Sequence, residues 1–147
     1  MITPGRSTVP ALATLIAVVG AGLVVGSAAP AAAVAECGAT EADWKGTFAS
    51  AGSSQIENPA TLTFKGDGTL STEDPGQPEG EGTYKIGDSG TTVDYAYETE
   101  DRNHNPINVE VTYLIRSLSC VDGGSVVTAF TAITADGKAV VTYAKKQ

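Results

Sequence analysis

The sequence predicts an all-β fold, an antiparallel up-and-down barrel of about eight strands that follows an N-terminal signal peptide. Segments rich in Thr, Val, Ile, Tyr and Phe recur after residue 35 and alternate between apolar and polar residues. Short Gly- and Asp-containing turns separate these segments, and only residues 39–43 suit a helical turn, with Thr40 as its cap. The alternative is a β-sandwich with Greek-key crossings, but the short hairpin links favour a barrel.

The clearest strand covers residues 107–119. Ile107, Val109 and Val111 alternate there with Asn108 and Glu110, which is typical of a half-buried strand. Asp-Gly pairs between apolar runs favour tight hairpin turns, because such turns need positive φ at their central residues. The eight predicted strands are 44–51, 60–65, 68–72, 81–86, 91–99, 107–119, 125–135 and 139–145.

Residues 1–35 have the three parts of a secretory signal peptide. Arg6 is the only charged residue before Glu36, residues 9–25 are apolar, and small residues follow. The small-residue rule predicts cleavage after Ala35, with Ala33 as a second candidate. The alternative is a retained membrane anchor, because the apolar run is almost long enough to span a bilayer. The interruption by glycine and proline favours cleavage, which leaves residues 36–147 as a single secreted domain with no membrane contact.

An exported domain with two cysteines predicts a disulfide bond between Cys37 and Cys120. This bond would close a loop of about 84 residues and stabilise the fold by about 4 kcal/mol. Two free thiols are the alternative.

Composition excludes several classes of function. The net charge of −8 argues against nucleic-acid binding, which needs a basic surface. One histidine and two cysteines do not make a four-ligand zinc site. Neither a nucleophile motif nor a carboxylate pair stands out, so we expect a non-enzymatic protein without catalytic residues, cofactor or metal.

Polar groups in the predicted turns have two interpretations. His104 lies in a polar turn and is expected to be a solvated loop residue rather than a catalytic base. Acidic residues cluster in two places, where they either solubilise loops or offer oxygen ligands to calcium. The clusters are Glu73, Asp74, Glu79 and Glu81, and Glu98, Glu100 and Asp101.

The Trp-Lys-Gly-Thr-Phe run at residues 44–48, followed by Leu-Thr-Phe-Lys-Gly-Asp-Gly-Thr-Leu at 62–70, resembles the opening of lipocalin-like, or calycin-type, small barrels. The resemblance implies that Trp44 plugs one end of a barrel and that a nearby glycine bends the first strand. It also implies a possible small-ligand cavity. Arg116 would either cover the Trp44 ring, as a late-strand arginine does in that family, or face solvent.

Aromatic residues at the inward-facing positions of the predicted strands provide the candidate binding site. Several tyrosines converging inside a barrel would form an amphipathic pocket, although the rings could equally fill a narrow eight-stranded interior. We therefore expect a secreted protein that binds a small apolar or amphipathic ligand; the alternative is a protein-binding module, such as an enzyme inhibitor or a cell-surface interaction domain. The candidate ligand-binding residues are Trp44, Phe64, Tyr84, Tyr95, Tyr97 and Tyr113.

Overall fold

The computed structural model describes residues 36–52 and 55–147, which form eight β-strands and two short 3₁₀ helices. The strands match the eight predicted segments to within two residues at each end. They are β1 (Gly46–Ser50), β2 (Thr61–Phe64), β3 (Thr69–Glu73), β4 (Gly80–Ile86), β5 (Thr92–Glu100), β6 (Pro106–Cys120), β7 (Val127–Thr134) and β8 (Val140–Lys145). The 3₁₀ helices are Glu41–Trp44 and Asp88–Gly90.

The strands form a closed up-and-down barrel. Each strand pairs antiparallel with the next, and β1 closes the sheet by pairing with β8 through Phe48 opposite Lys145 and Ser50 opposite Tyr143. The predicted barrel is confirmed, and the alternative of two stacked sheets is wrong. Short hairpins account for this order, because they join neighbours in sequence as neighbours in the sheet.

Aromatic side chains fill the interior in two groups, named here by their position. The aromatic end lies beside the first 3₁₀ helix, and the tyrosine end lies beneath residues 55–60, which precede β2 and are named here the β1–β2 loop. The aromatic end comprises Trp44, Phe48, Phe64, Tyr84 and Phe130, and the tyrosine end comprises Tyr95, Tyr97, Tyr113 and Tyr143. All nine side chains are at most 3% exposed.

The first 3₁₀ helix corrects the predicted start of β1. The Asp43 carboxylate accepts hydrogen bonds from the Thr40 amide at 2.9 Å and the Thr40 hydroxyl at 2.8 Å, which stabilises the turn. Trp44 is the last residue of this helix and not the first of a strand. Gly46, at φ 145°, then turns the chain into β1 in a conformation that favours glycine.

The predicted disulfide bond is confirmed. Cys37 and Cys120 are bonded, with their Cα atoms 5.8 Å apart. The Gly38 amide donates to the Ser125 carbonyl at 2.9 Å, and the Trp44 indole N–H donates to the Gly38 carbonyl at 2.8 Å. The segment before β1 is therefore joined both to the end of β6 and to the buried indole.

The longest strand, β6, changes phase at Arg116. Pairing with β7 shifts register between Ile115 and Ser117, so Arg116 occupies a bulge and is exposed. The Trp44 ring packs instead against Phe64 and Phe130, at centroid distances of 5.7 and 5.1 Å. Of the two placements predicted for Arg116, the structure shows the solvent-facing one.

The predicted signal peptide, residues 1–35, lies outside the described residues. Within residues 36–52 and 55–147, no helix has the length and hydropathy needed to cross a membrane.

Candidate functional site

The β1–β2 loop is held from below by the tyrosine end of the interior. Each of the four hydroxyl groups donates a hydrogen bond to a different residue of the loop, and the four residues are consecutive. Tyr97 donates to the Ile56 carbonyl, Tyr95 to the Glu57 carbonyl at 2.6 Å, Tyr113 to the Asn58 side-chain oxygen at 2.8 Å, and Tyr143 to the Pro59 carbonyl at 2.6 Å. Three strands therefore fix the path of a single loop.

The strand periodicity places these hydroxyls together. Tyr95 and Tyr97 are successive inward residues of β5, and Tyr113 is an inward residue of the neighbouring β6. Their rings pack closely, with centroids 5.9 Å apart for Tyr95 and Tyr97 and 5.2 Å for Tyr95 and Tyr113. The Tyr95 and Tyr113 hydroxyl oxygens also lie 2.9 Å apart. Tyr143 reaches the same loop from β8.

Burial keeps the phenols of the tyrosine end protonated. It is the main cause that raises the pKa of Tyr95, Tyr97, Tyr113 and Tyr143 above the ordinary value of 10.0. The Asp74 carboxylate adds to the rise in the pKa of Tyr97, because its negative charge disfavours a phenolate. The four hydroxyls therefore remain neutral donors at physiological pH.

Two further contacts fix the loop. Gln55 and Asn58 exchange main-chain hydrogen bonds of 3.1 and 2.8 Å, and the Ala60 amide donates to the Asp74 carboxylate at 2.7 Å. Asn58 and Pro59 are buried, whereas Gln55 and Glu57 are exposed. The loop thus presents side chains to solvent from a backbone that the barrel holds in place.

The six predicted binding residues are all buried, but they fall into two groups. Trp44, Phe64 and Tyr84 lie at the aromatic end, where the rings of Phe64 and Tyr84 are 4.7 Å apart and the Tyr84 hydroxyl donates to the Glu41 carbonyl at 2.7 Å. The other three are at the tyrosine end. Among the described residues, every buried side-chain nitrogen or oxygen has a hydrogen-bond partner. In this part of the interior, no buried polar side chain needs a ligand to complete its hydrogen bonds.

Sequence reasoning omitted Tyr143 and Asn58 from the candidate site. The signal for Tyr143 was present, because Val141 and Tyr143 share the inward phase of the predicted last strand. Asn58 carried no signal of that kind, since it belongs to a loop without periodicity.

An open cleft of about 1200 Å³ runs along the surface of β4, β5 and β6. Tyr84, Tyr95 and Val111 contribute to its lining, together with the exposed Lys85 and Glu110. Trp44, Phe64, Tyr97 and Tyr113 do not line it. The cleft therefore includes two of the six predicted binding residues.

The polar turn residues have structural roles. The Asp101 carboxylate accepts from the Asn103 amide at 2.7 Å and from the Asn105 amide at 3.0 Å, which shapes the β5–β6 turn. His104 is exposed there, and its ring contacts the Glu100 carboxylate at 3.1 Å. In the described part of the chain, no three His, Cys, Asp or Glu side chains are grouped in a way that could hold a metal ion.

The fold and these contacts define a closed antiparallel barrel with an anchored loop over one end. The chain itself matches no protein-family model, no curated protein and no solved structure.

Proposed function

We propose that the protein is an exported, non-enzymatic binding module that contacts another protein through its β1–β2 loop. The observation that carries the proposal is the set of four tyrosine hydroxyls bound to residues 56–59. A loop already fixed in one conformation loses little entropy on binding, so more of the contact energy becomes affinity. Gln55 and Glu57 offer exposed side chains for such a contact.

Dense packing of the interior favours protein binding over an enclosed ligand. The predicted pocket residues contact one another and satisfy their own polar groups. Inhibitor-like binding modules use rigid surface loops rather than cavities. The backbone at such an interface moves little between the free and the bound protein.

A small amphipathic ligand is the second candidate, and the open cleft favours it. Its volume of about 1200 Å³ exceeds that of ordinary ligand sites, and its lining mixes the apolar Val111 and Tyr84 with charged groups. Native mass spectrometry of the protein recovered from culture medium tests this candidate. A reproducible additional mass that Val111→Asp removes supports it, and the bare polypeptide mass alone counts against it.

Export and calycin-type membership belong to the same proposal. The disulfide bond supports export, because such bonds persist in oxidising compartments. The buried Trp44 at one barrel end and Gly46 at the bend into β1 support the calycin resemblance. The ring of His104, the single histidine, contacts the Glu100 carboxylate in an exposed turn, which supports a non-enzymatic protein.

Affinity capture with loop variants tests the proposed contact. The immobilised protein is exposed to culture medium beside Gln55→Ala with Glu57→Lys, and beside Lys138→Ala as an exposed control from another turn. We expect one protein to be retained by the wild type and the control, and about tenfold less by the loop variant, a loss of about 1.4 kcal/mol. Equal capture by all three, or capture by none, contradicts the proposal.

Tyr97→Phe separates loop rigidity from loop chemistry. It removes the hydrogen bond to Ile56 and leaves the exposed side chains unchanged. If the rigidity of the loop contributes to affinity, this variant should bind its partner more weakly than the wild type, because its loop must become ordered on binding. Unchanged affinity would show that the anchoring is irrelevant to binding.

A further inference from the structure

The closed barrel retains a short strand edge on the N-terminal half of β6, on the side that faces β7. Residues from Pro106 to Leu114 pair with β5, but pairing with β7 begins only at Tyr113. The Ala135 amide, which donates to the Thr112 carbonyl at 2.9 Å, is the last contact on the β7 side. Residues 106–111 have no main-chain partner on that side among the residues described. These six residues are named the β6 edge.

The main-chain groups of the β6 edge have a defined direction. The Thr112 carbonyl points toward β7, and in an antiparallel strand alternate residues direct both their N–H and C=O groups to the same side. Asn108 and Glu110 therefore direct both groups away from β5. Two N–H and two C=O groups at ladder spacing are available to an added strand.

The two faces of the edge differ in chemistry. Ile107, Val109 and Val111 face inward and pack against the core, whereas Asn108 and Glu110 are exposed on the outer face. The cleft of about 1200 Å³ reaches this edge through Glu110 and Val111 and carries six carboxylates against one lysine. The charged lining residues are Glu41, Glu57, Asp67, Asp94, Glu110, Asp136 and Lys85.

We propose that the β6 edge binds an extended basic segment of a partner polypeptide by main-chain pairing. A segment that alternates apolar residues with Lys or Arg would place its apolar side chains beside Val109 and Val111 and its cations beside Glu110 and Asp136. This contact goes beyond the loop contact proposed above and does not depend on it.

Charge selects a basic partner over a second copy of the chain. If two β6 edges paired, Glu110 and Glu98 of one copy would lie near Glu110 and Glu98 of the other. These like charges would repel each other, in a chain whose net charge is already −8. Pro106 also lacks an N–H for such pairing. Charge therefore disfavours pairing of the β6 edge with a second copy of the chain and favours pairing with a basic strand.

Two N-methylated peptides test the main-chain pairing. The probe is a blocked seven-residue peptide of alternating lysine and valine, beginning and ending with lysine. Residues directly opposite each other carry side chains on the same face, so the lysine amides should face Asn108 and Glu110. Methylating two lysine amides should weaken binding about tenfold, and methylating two valine amides should change it less than about threefold.

Calorimetry measures these affinities at low ionic strength, with protein variants as controls. Glu110→Gln should weaken binding of the unmethylated peptide, and Glu81→Gln, which removes an exposed carboxylate on β4, should not. Equal binding of the two methylated peptides would show that charge attraction, and not main-chain pairing, holds the peptide, and would overturn the proposal. So would undetectable binding at millimolar peptide, or sedimentation of the protein as a dimer that Glu110→Lys dissociates. Failure here is distinguishable from failure of the loop contact, because the Tyr97→Phe loop variant removes no charge from the cleft.

Discussion

Two ends of one interior are packed with aromatic rings, but different forces hold them. At the aromatic end, Trp44 contacts both Phe64 and Phe130 edge to face, and these contacts depend on area and shape. At the tyrosine end, similar rings carry hydroxyls whose hydrogen bonds depend on direction. Apolar packing therefore stabilises the aromatic end, while the hydroxyls of the tyrosine end determine the conformation of one loop.

High pH should produce the largest difference between the two ends. The folded-state pKa values of the four buried phenols lie above 10.0, so the unfolded chain loses these protons first. Their stabilisation is complete below about pH 10 and is lost as pH rises through the folded-state values, by about 1.4 kcal/mol per pH unit for each phenol. Denaturant unfolding at a series of alkaline pH values, with near-ultraviolet absorbance for tyrosinate, measures the decline.

Tyr95→Phe is the control for the alkaline experiment. It removes one of the four phenols of the tyrosine end and should reduce their contribution to the slope by about a quarter. If tyrosinate absorbance instead rises near pH 10 while the fold remains intact, the phenols are not protected by burial.

Phe64→Ala tests the aromatic end alone. The Phe64 ring contacts Trp44 and Phe48 at centroid distances of 5.7 Å each, so its removal leaves a cavity that costs about 3–5 kcal/mol. Phe64→Leu should cost less than about 1.5 kcal/mol, because it conserves most of the volume. Denaturant unfolding gives both values, and a similar cost for the two variants would contradict the packing argument.

Tyr143→Phe should have a smaller effect on stability than Phe64→Ala, together with a local effect on the loop. It leaves the buried Pro59 carbonyl without its donor, at a cost of about 1–3 kcal/mol. Amide hydrogen exchange should then become faster in the β1–β2 loop. Tyr84→Phe is the matched control at the other end, where the hydroxyl donates to the Glu41 carbonyl of the 3₁₀ helix. Faster exchange of the loop in both variants would mean that the two ends are not independent.

The sequence predicted the barrel because strand periodicity and short hairpins are local properties. Val93, Tyr95 and Tyr97 alternate with polar residues, and their inward orientation follows from that alternation alone. The turn around Thr40 and the pairing of Cys37 with Cys120 also followed from local chemistry and from the cysteine count.

The partners of the hydroxyls could not be predicted in the same way. Tyr143 and Pro59 are 84 residues apart, and no sequence rule connects an inward ring to a loop carbonyl. The bulge at Arg116 could not be predicted from the sequence either, because the alternation up to Ile115 gives no sign of the register shift that follows. The interior was correctly predicted to be lined with tyrosine, but the loop that these tyrosines hold was not.

The pairing of β1 with β8 has a consequence for how the molecule is made. β1 spans Gly46–Ser50, and it pairs with Val140–Lys145, which is the last of the eight strands to be synthesised. Sequence-distant pairing is slow to form, because the chain must first close a long loop. The sheet cannot close until residue 145 has emerged. Until then, one edge of β1 lacks its second partner strand, and the barrel remains an open sheet.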